Sequence, residues 1–177
     1  MTAYVALLRG INLGPSHRVP MAELRTLCRS LGLRNVATYL QSGNVVFNDA
    51  RPPGAIVDLL EGALATRFGF DVPVILRAAP EMTRIAERHS FHDREDDPAK
   101  LHVFFLAGTP DPEAIERWHP ERFAPDETSV EGQEVYVHFP NGMGRSRLTV
   151  NLGVPATARN WRSVRALAEM ARALPGE

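Results

Sequence analysis

The sequence predicts an α+β protein of two ferredoxin-like (α-β plait) subdomains, the second a looser variant of the first. Apolar runs of strand length alternate with stretches whose apolar residues recur at helical spacing, and glycines and prolines separate them. In the first half the resulting order is β-α-β-β-α-β, which is the split unit of ferredoxin-like folds. We therefore expect an N-terminal subdomain in residues 1–79, a helix and charged connector in residues 80–100, and a C-terminal α/β subdomain in residues 101–177.

The elements of the N-terminal subdomain have well-marked ends. Its predicted strands are residues 3–9, 35–40, 44–48 and 72–78. Pro20 opens the first helix and Gly32 closes it, because proline suits the first turn of a helix and glycine suits the position after the last turn. The second helix follows residues 52–54 (PPG) and ends at Gly69.

The C-terminal half has a similar but less regular order of predicted strands and helices. The predicted strands are residues 101–108, 126–131 and 134–139, and the predicted helices are residues 81–89, 111–119 and 158–174. Pro155 and Thr157 mark the start of the last helix, with Thr157 as its N-cap. On this interpretation Arg159 and Asn160 occupy the first turn of that helix.

The composition favours a protein without membrane spans or disulfides. No apolar run approaches the roughly 20 residues that a membrane-spanning helix needs, no signal peptide is recognisable, and a single cysteine, Cys28, cannot form an internal disulfide. A reducing cytoplasm is the expected location. The net charge of −1 divides into +4 for residues 1–48, −9 for residues 49–140 and +4 for residues 141–177, so the two ends are alike in sign and unlike the middle.

Several standard catalytic and nucleotide-binding motifs are absent from the sequence. There is no nucleophile elbow and no P-loop lysine, and the G-x-G at residues 142–144 is followed by Arg147 where a dinucleotide fingerprint needs a small residue. These absences leave the cofactor unknown. His89 and His92 precede a run of carboxylates that could bind a divalent ion, but the polar stretch is more typical of a solvated connector, and no metal site is predicted.

Arginine-bearing turns near the C-terminus break local rules. Arg159 in the first turn of a helix would oppose the helix dipole, which favours carboxylates there, and Asn160 lies beside it. Together with the free N–H groups of that turn, these side chains form a candidate anion site. In residues 141–148 (NGMGRSRL) glycines allow a ligand to approach closely, and Arg145 and Ser146 are candidate ligand-binding residues. The alternative is that each arginine pairs with a carboxylate of the acidic middle segment.

The N-terminal half contains two further loops that could bind a ligand. Arg9 and Asn12 follow the first strand, and a loop at the end of a buried strand is a usual place for a ligand site. The next hairpin tip is dense in uncharged hydrogen-bonding groups, and its candidate site residues are Thr38, Tyr39, Gln41, Ser42 and Asn44. The alternatives are a simple turn whose arginine faces water and an ordinary polar hairpin tip.

Four stretches of the sequence resemble a largely bacterial family, domain of unknown function 1697. They are YVALLRGINLG (4–14), TYLQSGNVVF (38–47), GRSRL (144–148) and PATARNW (155–161). They come in that family's order and span nearly the whole chain. The resemblance implies a pair of ferredoxin-like subdomains and carries no established activity, substrate or cofactor. One departure is visible in GINLGPSHRV (10–19), where the family often has a second glycine and a lysine-type residue.

The expected function is the binding of an anionic small molecule, a nucleotide or phosphorylated metabolite, in an arginine-lined cleft between the subdomains. The arginines named above would supply the charge, and the neighbouring amides and hydroxyl would orient the ligand. The alternatives are an enzyme that uses the same cleft, with Tyr39 or a histidine in proton transfer, and a nucleic-acid-binding module. Nucleic acid is not favoured, because the net charge is slightly negative and no strand has the basic-aromatic signature of an RNA-recognition sheet. The sequence does not predict the oligomeric state.

Overall fold

The computed structural model describes residues 1–176, which fold into two compact units. Unit 1 contains Met1–Arg84 and the residues from Leu167 onward, and unit 2 contains Ile85–Ala166. The described residues form two four-stranded antiparallel sheets and five α-helices, so the predicted mixed α+β class is confirmed. None of these helices is both long enough and apolar enough to cross a membrane.

Unit 1 is built on one antiparallel sheet. Its strands are β1 (Thr2–Leu8), β2 (Arg34–Thr38), β3 (Asn44–Asp49) and β4 (Val74–Ala78), and the helices among them are α1 (Met21–Ser30) and α2 (Pro53–Phe68), with α3 (Ala79–Glu87) following β4. The strand order is β2-β3-β1-β4. Because β1 lies between two partner strands, its residues from Tyr4 to Leu8 are all buried, which explains the near-continuous apolar run in the sequence.

Local sequence signals set the ends of the two long helices of unit 1. Helix α1 begins directly after Pro20, and Gly32, just beyond its end, has a φ of +84°. Helix α2 begins at Pro53 and is capped by Gly69, which has a φ of +81° and donates its N–H to the carbonyl of Ala65 at 2.9 Å. Both helices bury apolar side chains in the core that β1 and β3 also line: Leu24, Cys28, Ile56, Leu60 and Leu64.

Unit 2 has a second antiparallel sheet. Its strands are β5 (Leu101–Leu106), β6 (Glu127–Glu131), β7 (Glu134–His138) and β8 (Ala156–Asn160), in the order β6-β7-β5-β8. Helix α4 (Pro112–Arg117) follows β5, and α5 (Trp161–Ala173) follows β8. The hairpin β6-β7 turns at Gly132, whose φ of +68° is readily adopted by glycine. The apolar core of unit 2 includes Leu106, Val135, Val137, Phe139, Leu148 and Leu152.

The prediction of a helix from residue 158 onward is wrong at its start. Residues 156–160 form β8, which pairs with β5 so that Thr157 faces Phe105 and Asn160 faces His102. Helix α5 begins at Trp161, and its N-cap is Asn160, whose Oδ1 accepts the N–H of Ser163 at 2.9 Å. Thr157 is therefore no helix cap. Pairing with β5 overrides the local preference of the segment for helix.

Candidate functional site

Two loops of unit 1 come together where β1 ends. The first loop, residues 9–19, continues from β1, and the second, residues 39–43, leads into β3. Leu8 donates its N–H to the carbonyl of Gly43 at 2.8 Å, and Arg9 donates its N–H to the carbonyl of Pro73 at 3.0 Å. Since β1 is hydrogen-bonded to β3, the sheet itself places the two loops side by side. We call residues 9–19 and 39–43 the loop pair.

Asn12 fastens the loop pair together. Its Nδ2 donates to the carbonyls of Val19 at 2.9 Å and Gln41 at 2.8 Å, and its Oδ1 accepts the N–H of Val19 at 2.9 Å. Its own N–H donates to the carbonyl of His17 at 3.0 Å, and its φ is +55°. Both amide hydrogens of the side chain are therefore used within the protein, and Asn12 positions the site rather than offering it a free donor.

The hairpin tip is held by a second asparagine. Asn44 is fully buried, and its Nδ2 donates to the carbonyl of Tyr39 at 2.7 Å and to Oγ of Ser42 at 3.0 Å. Oγ1 of Thr38 accepts a hydrogen bond from Nη1 of Arg25 at 2.7 Å. No pattern in the sequence singles out Arg25, because it lies on α1, 13 residues before Thr38. Thr38 and Asn44 thus have structural roles at the site.

Gly43 allows the hairpin tip to pack closely against the first loop. The residue is buried with a φ of +85°, and a Cβ added to it would lie 2.6 Å from Cδ1 of Ile11 and 2.8 Å from Cβ of Leu8. No side chain fits in that space. The approach of the two loops therefore depends on glycine at this position.

The side chains that the loop pair exposes to solvent belong to residues other than Asn12 and Asn44. Arg9 and Arg18 are exposed, and neither guanidinium has a hydrogen bond or ion pair with any residue in the described part of the chain. The side-chain amide of Gln41 is exposed and equally unengaged within residues 1–176. The hydroxyl of Tyr39 likewise donates to no described residue. Two cations and two neutral donors on a fixed backbone can bind an anion.

Leu40 has the most strained backbone of the hairpin tip. Its φ is +58°, in the left-handed region that bulky residues rarely adopt, and its side chain is 57% exposed. Such conformations persist only where the surrounding structure imposes them, and they concentrate at functional sites. The strain therefore marks this tip as a candidate for function.

The arginine-bearing turn of unit 2 holds one exposed cation and one engaged hydroxyl. Arg145 is exposed and lies in a single 3-10 turn, Met143–Arg145, that follows Gly142. Ser146 donates its hydroxyl to Oδ2 of Asp126, and its Oγ accepts the N–H of Leu148 at 2.9 Å. Ser146 therefore holds the turn in place, while Arg145 remains available to a ligand.

Arg159 and Asn160 have roles inside the fold. Arg159 is 6% exposed, and its Nη1 donates to Oγ1 of Thr157 and to the carbonyl of Ala158, each at 2.8 Å. Burial lowers the pKa of Arg159 to about 10, so its guanidinium stays protonated at neutral pH. Arg159 lies in a strand and Asn160 caps α5, so the prediction of a cation in the first turn of a helix is wrong.

The structure thus sorts the predicted site residues into three groups. The loop pair and the residues beside it bring together Arg9, Asn12, Thr38, Tyr39, Gln41, Ser42 and Asn44. In unit 2, Arg145 and Ser146 share one turn, and Arg159 and Asn160 end one strand. Whether the arginines of both units share one ligand stays a prediction.

Two histidines and a glutamate in unit 2 form a cluster that could hold a metal ion. The donor atoms of His89, His92 and Glu95 lie within 4.8 Å of one another. His89 Nδ1 accepts the N–H of Phe91 at 3.1 Å, so neutral His89 carries its proton on Nε2 and donates it to Glu95 Oε1 at 2.9 Å. The same oxygen pairs with His92 Nδ1 at 3.0 Å. A metal ion would need the lone pair on Nε2 of His89, but in this hydrogen-bond pattern that nitrogen carries the proton. The cluster therefore fits a hydrogen-bonded network better than a metal site.

Burial sets the protonation of His89. Its side chain is fully buried, the ring of Tyr136 stacks on it at 5.1 Å, and the ring of Trp161 lies at 4.5 Å. Burial lowers the pKa of His89, and the neighbouring His92 acts in the same direction, while Glu95 and Glu131 raise that pKa to a smaller extent. The neutral form of His89 is therefore the one that fits this environment.

Comparison with known proteins places the chain in a group without an assigned activity. A family model described as "Protein of unknown function (DUF1697)" matches residues 1–136. The fold is similar to the solved structure of a conserved bacterial protein from Streptococcus pneumoniae, with a TM-score of 0.78 and 23% identity over 96% of this chain and 98% of that chain. No curated protein matches the chain. The likeness to the solved structure supports the fold alone.

Proposed function

This chain belongs to the DUF1697 family, and we propose that it binds an anionic small molecule, a nucleotide or phosphorylated metabolite, at the loop pair of unit 1. Arg9 is the principal charge donor, because it directly follows the buried strand β1 and its backbone N–H is bonded to Pro73. Gln41 supplies a neutral donor, and Asn12 holds the two loops at a fixed spacing. A guanidinium binds an anion through charge-assisted hydrogen bonds, which can be bidentate.

The observation that carries this proposal is an unpaired arginine on a rigid and strained support. Within residues 1–48 the one carboxylate is Glu23, and it forms an ion pair with Arg67. No nearby acid in that segment is therefore left to neutralise Arg9 or Arg18. Asn12 and Leu40, one in each loop of the loop pair, have left-handed φ values. Such conformations cost of order 1–3 kcal/mol each, which supports a functional role for this geometry.

The test uses substitution of Arg9 with a matched control. We expect inorganic phosphate and ATP to raise the melting temperature of the protein, and Arg9→Ala to weaken binding roughly tenfold or more, because a charge-assisted hydrogen bond contributes about 1.5–3 kcal/mol. Arg29→Ala removes the same charge from an exposed position of α1 and should leave binding unchanged. A thermal-shift series followed by calorimetric titration makes the measurement. The proposal fails if no anion binds, or if both variants weaken binding equally.

Unit 2 enters the proposal through Arg145. If one ligand contacts both units, as the sequence predicts, the effects of Arg9→Ala and Arg145→Ala on its affinity should add, and both should be large. If Arg145→Ala leaves the affinity unchanged, the loop pair binds the ligand without the turn at residues 143–145. Arg159→Ala is unsuitable for this test, because it would remove a buried side chain that bonds within β8.

Two finer features of the fold belong to this proposal. We propose that unit 1 is a ferredoxin-like plait, which its strand order and its β-α-β-β-α-β sequence support, and that unit 2 is a looser variant. We also propose that residues 1–79 and 101–177 act as subdomains joined by the connector at residues 80–100. The loop pair lies wholly in the first of these segments.

A further inference from the structure

The exposed large apolar side chains of the described residues lie in the loop pair and in the turn that carries Arg145. They are Leu13, 86% exposed, Leu40, 57% exposed, and Met143, 40% exposed. Leu13 and Leu40 belong to the loop pair, and Met143 is two residues from Arg145. Elsewhere in residues 1–176 the large apolar side chains are at least partly buried. Single exposed leucines are ordinary in proteins, so the feature that needs an explanation is the presence of two of them in the loop pair.

Leu13 and Leu40 each adjoin, in the chain, one partner of the hydrogen bond that joins the two loops. Leu13 follows Asn12 in the chain, Leu40 precedes Gln41, and Asn12 Nδ2 donates to the carbonyl of Gln41 at 2.8 Å. Leu40 is also in the left-handed region, at a φ of +58°, where glycine or asparagine would be less strained. A leucine there is unfavourable twice, through its backbone and through its exposed side chain. A ligand that covers the side chain would account for it.

We propose that the loop pair binds an organic anion with an apolar or aromatic body, such as an aryl phosphate or a nucleoside phosphate, in preference to an inorganic anion. The phosphate group lies on Arg9, and the apolar body covers Leu13 and Leu40. This inference rests on the proposed function, because it names the class of ligand for the same site. Removal of the two leucine side chains and the ligand body from water provides the preference.

The size of the apolar surface favours a small molecule. Two leucine side chains cover much less area than the 800 Å² or so that each partner buries in a standard protein–protein interface. The charge nearby is positive, since Arg9 and Arg18 have no partner among the described residues, which excludes a cationic ligand. A small amphiphilic anion matches both the charge and the area.

Phenyl phosphate and inorganic phosphate share a phosphate group and differ in one aromatic ring. Comparing their affinities therefore separates the contribution of the charged group from that of the apolar body. We expect phenyl phosphate to bind about tenfold more tightly, which corresponds to about 1.4 kcal/mol. In the double variant Leu13→Ser, Leu40→Asn this advantage should disappear while the affinity for inorganic phosphate is retained. Asparagine is chosen at residue 40 because it tolerates a positive φ. Retained phosphate binding also verifies that the loop pair is still folded.

The possible results distinguish this inference from the proposed function. If both phosphates bind equally and Arg9→Ala abolishes both, the site is an anion site and the apolar preference is wrong. If phenyl phosphate is preferred but the leucine variant leaves that preference unchanged, the leucines do not contact the ligand and the inference is also wrong. If a short single-stranded oligonucleotide binds more tightly than phenyl phosphate with the same dependence on the leucines, the small-molecule class is overturned. If nothing binds, the proposed function fails as well.

Discussion

At the scale of single residues, the loop pair separates residues that build a site from residues that can contact a ligand. Asn12 and Asn44 use their amide hydrogens on backbone carbonyls and on a serine hydroxyl. Arg9 and Gln41 keep their side chains free of bonds to the described residues. The sequence identified all four as site residues, because polar side chains near glycines suggest both roles. It could not separate the roles, since hydrogen bonds between loops 29 residues apart depend on the tertiary structure.

Gly43 provides a prediction at this scale. Gly43→Ala should lower the free energy of unfolding by about 2 kcal/mol or more, because the new methyl group would clash with Ile11 and Leu8 and the backbone φ is +85°. Urea denaturation followed by circular dichroism measures the change. Gly62→Ala is the matched control, since Gly62 lies inside α2 with open space around it. That substitution should stabilise the protein by up to about 1 kcal/mol. Equal stability of both variants would contradict the packing described for Gly43.

At the scale of secondary-structure elements, the segment 156–160 explains what the sequence could and could not predict. Prolines and glycines marked the ends of α1 and α2, and Gly132 between two β-rich runs indicated the hairpin of β6 and β7, because these signals act locally. The residues ATARN contain no such signal, and the alanines and arginine favour a helix. Their extended conformation comes from pairing with β5, whose residues lie 50 to 58 positions earlier in the chain. Single-sequence patterns do not record pairing over that separation.

The cap of α5 can be tested directly. Asn160→Ala should destabilise the protein by about 1 kcal/mol, because the N–H of Ser163 loses the side-chain oxygen that accepts it. Asn160→Asp keeps an acceptor at the same position and adds a charge that the helix N-terminus favours, so it should be close to wild type. Thermal and chemical denaturation provide the measurement. An Asn160→Asp variant as unstable as Asn160→Ala would show that capping is not what Asn160 contributes.

At the scale of the whole molecule, the net charge of −1 conceals positive terminal segments and an acidic middle segment. The sequence contains that distribution in full, so the prediction of an anion site on the positive segments needed no structure. The structure shows which of the positive side chains already form hydrogen bonds within the protein. Arg25 bonds to Thr38 and Arg159 bonds within its own strand, whereas Arg9, Arg18 and Arg145 remain exposed. Burial could not be predicted for Arg159, because it follows from the pairing of β8.

The global stability should depend on the protonation of His89. Its pKa is lower in the folded protein than the ordinary value of 6.5, so the folded state binds fewer protons than the unfolded state. The contribution of His89 to the free energy of unfolding should therefore be fully present above about pH 6.5 and be lost as the pH falls below that value. The one lone pair open to a second proton is on Nδ1, which accepts the N–H of Phe91. Protonation would make two N–H groups face each other.

Denaturation at a series of pH values between 5 and 8 tests this dependence. His89→Gln should reduce the loss of stability on acidification, even if the variant is less stable at every pH, because the comparison concerns the slope. His102 contributes in the same direction, since burial lowers its pKa as well, so part of the slope should remain. His119→Gln, at a side chain 50% exposed, is the control for the loss of a histidine from the surface. A slope that His89→Gln does not alter would contradict the assignment.

The positions of the aromatic residues decide how ligand binding can be followed by optical spectroscopy. Both tryptophans of the sequence, Trp118 and Trp161, belong to unit 2, while the tyrosines of unit 1 are Tyr4 and Tyr39. Tryptophan emission therefore originates outside the unit that carries the loop pair, and an unchanged spectrum on titration would not mean that the ligand fails to bind. Phe70, whose ring meets that of His17 edge-on at 4.5 Å, is a suitable position for a reporter. A Phe70→Trp substitution would give unit 1 a fluorophore of its own.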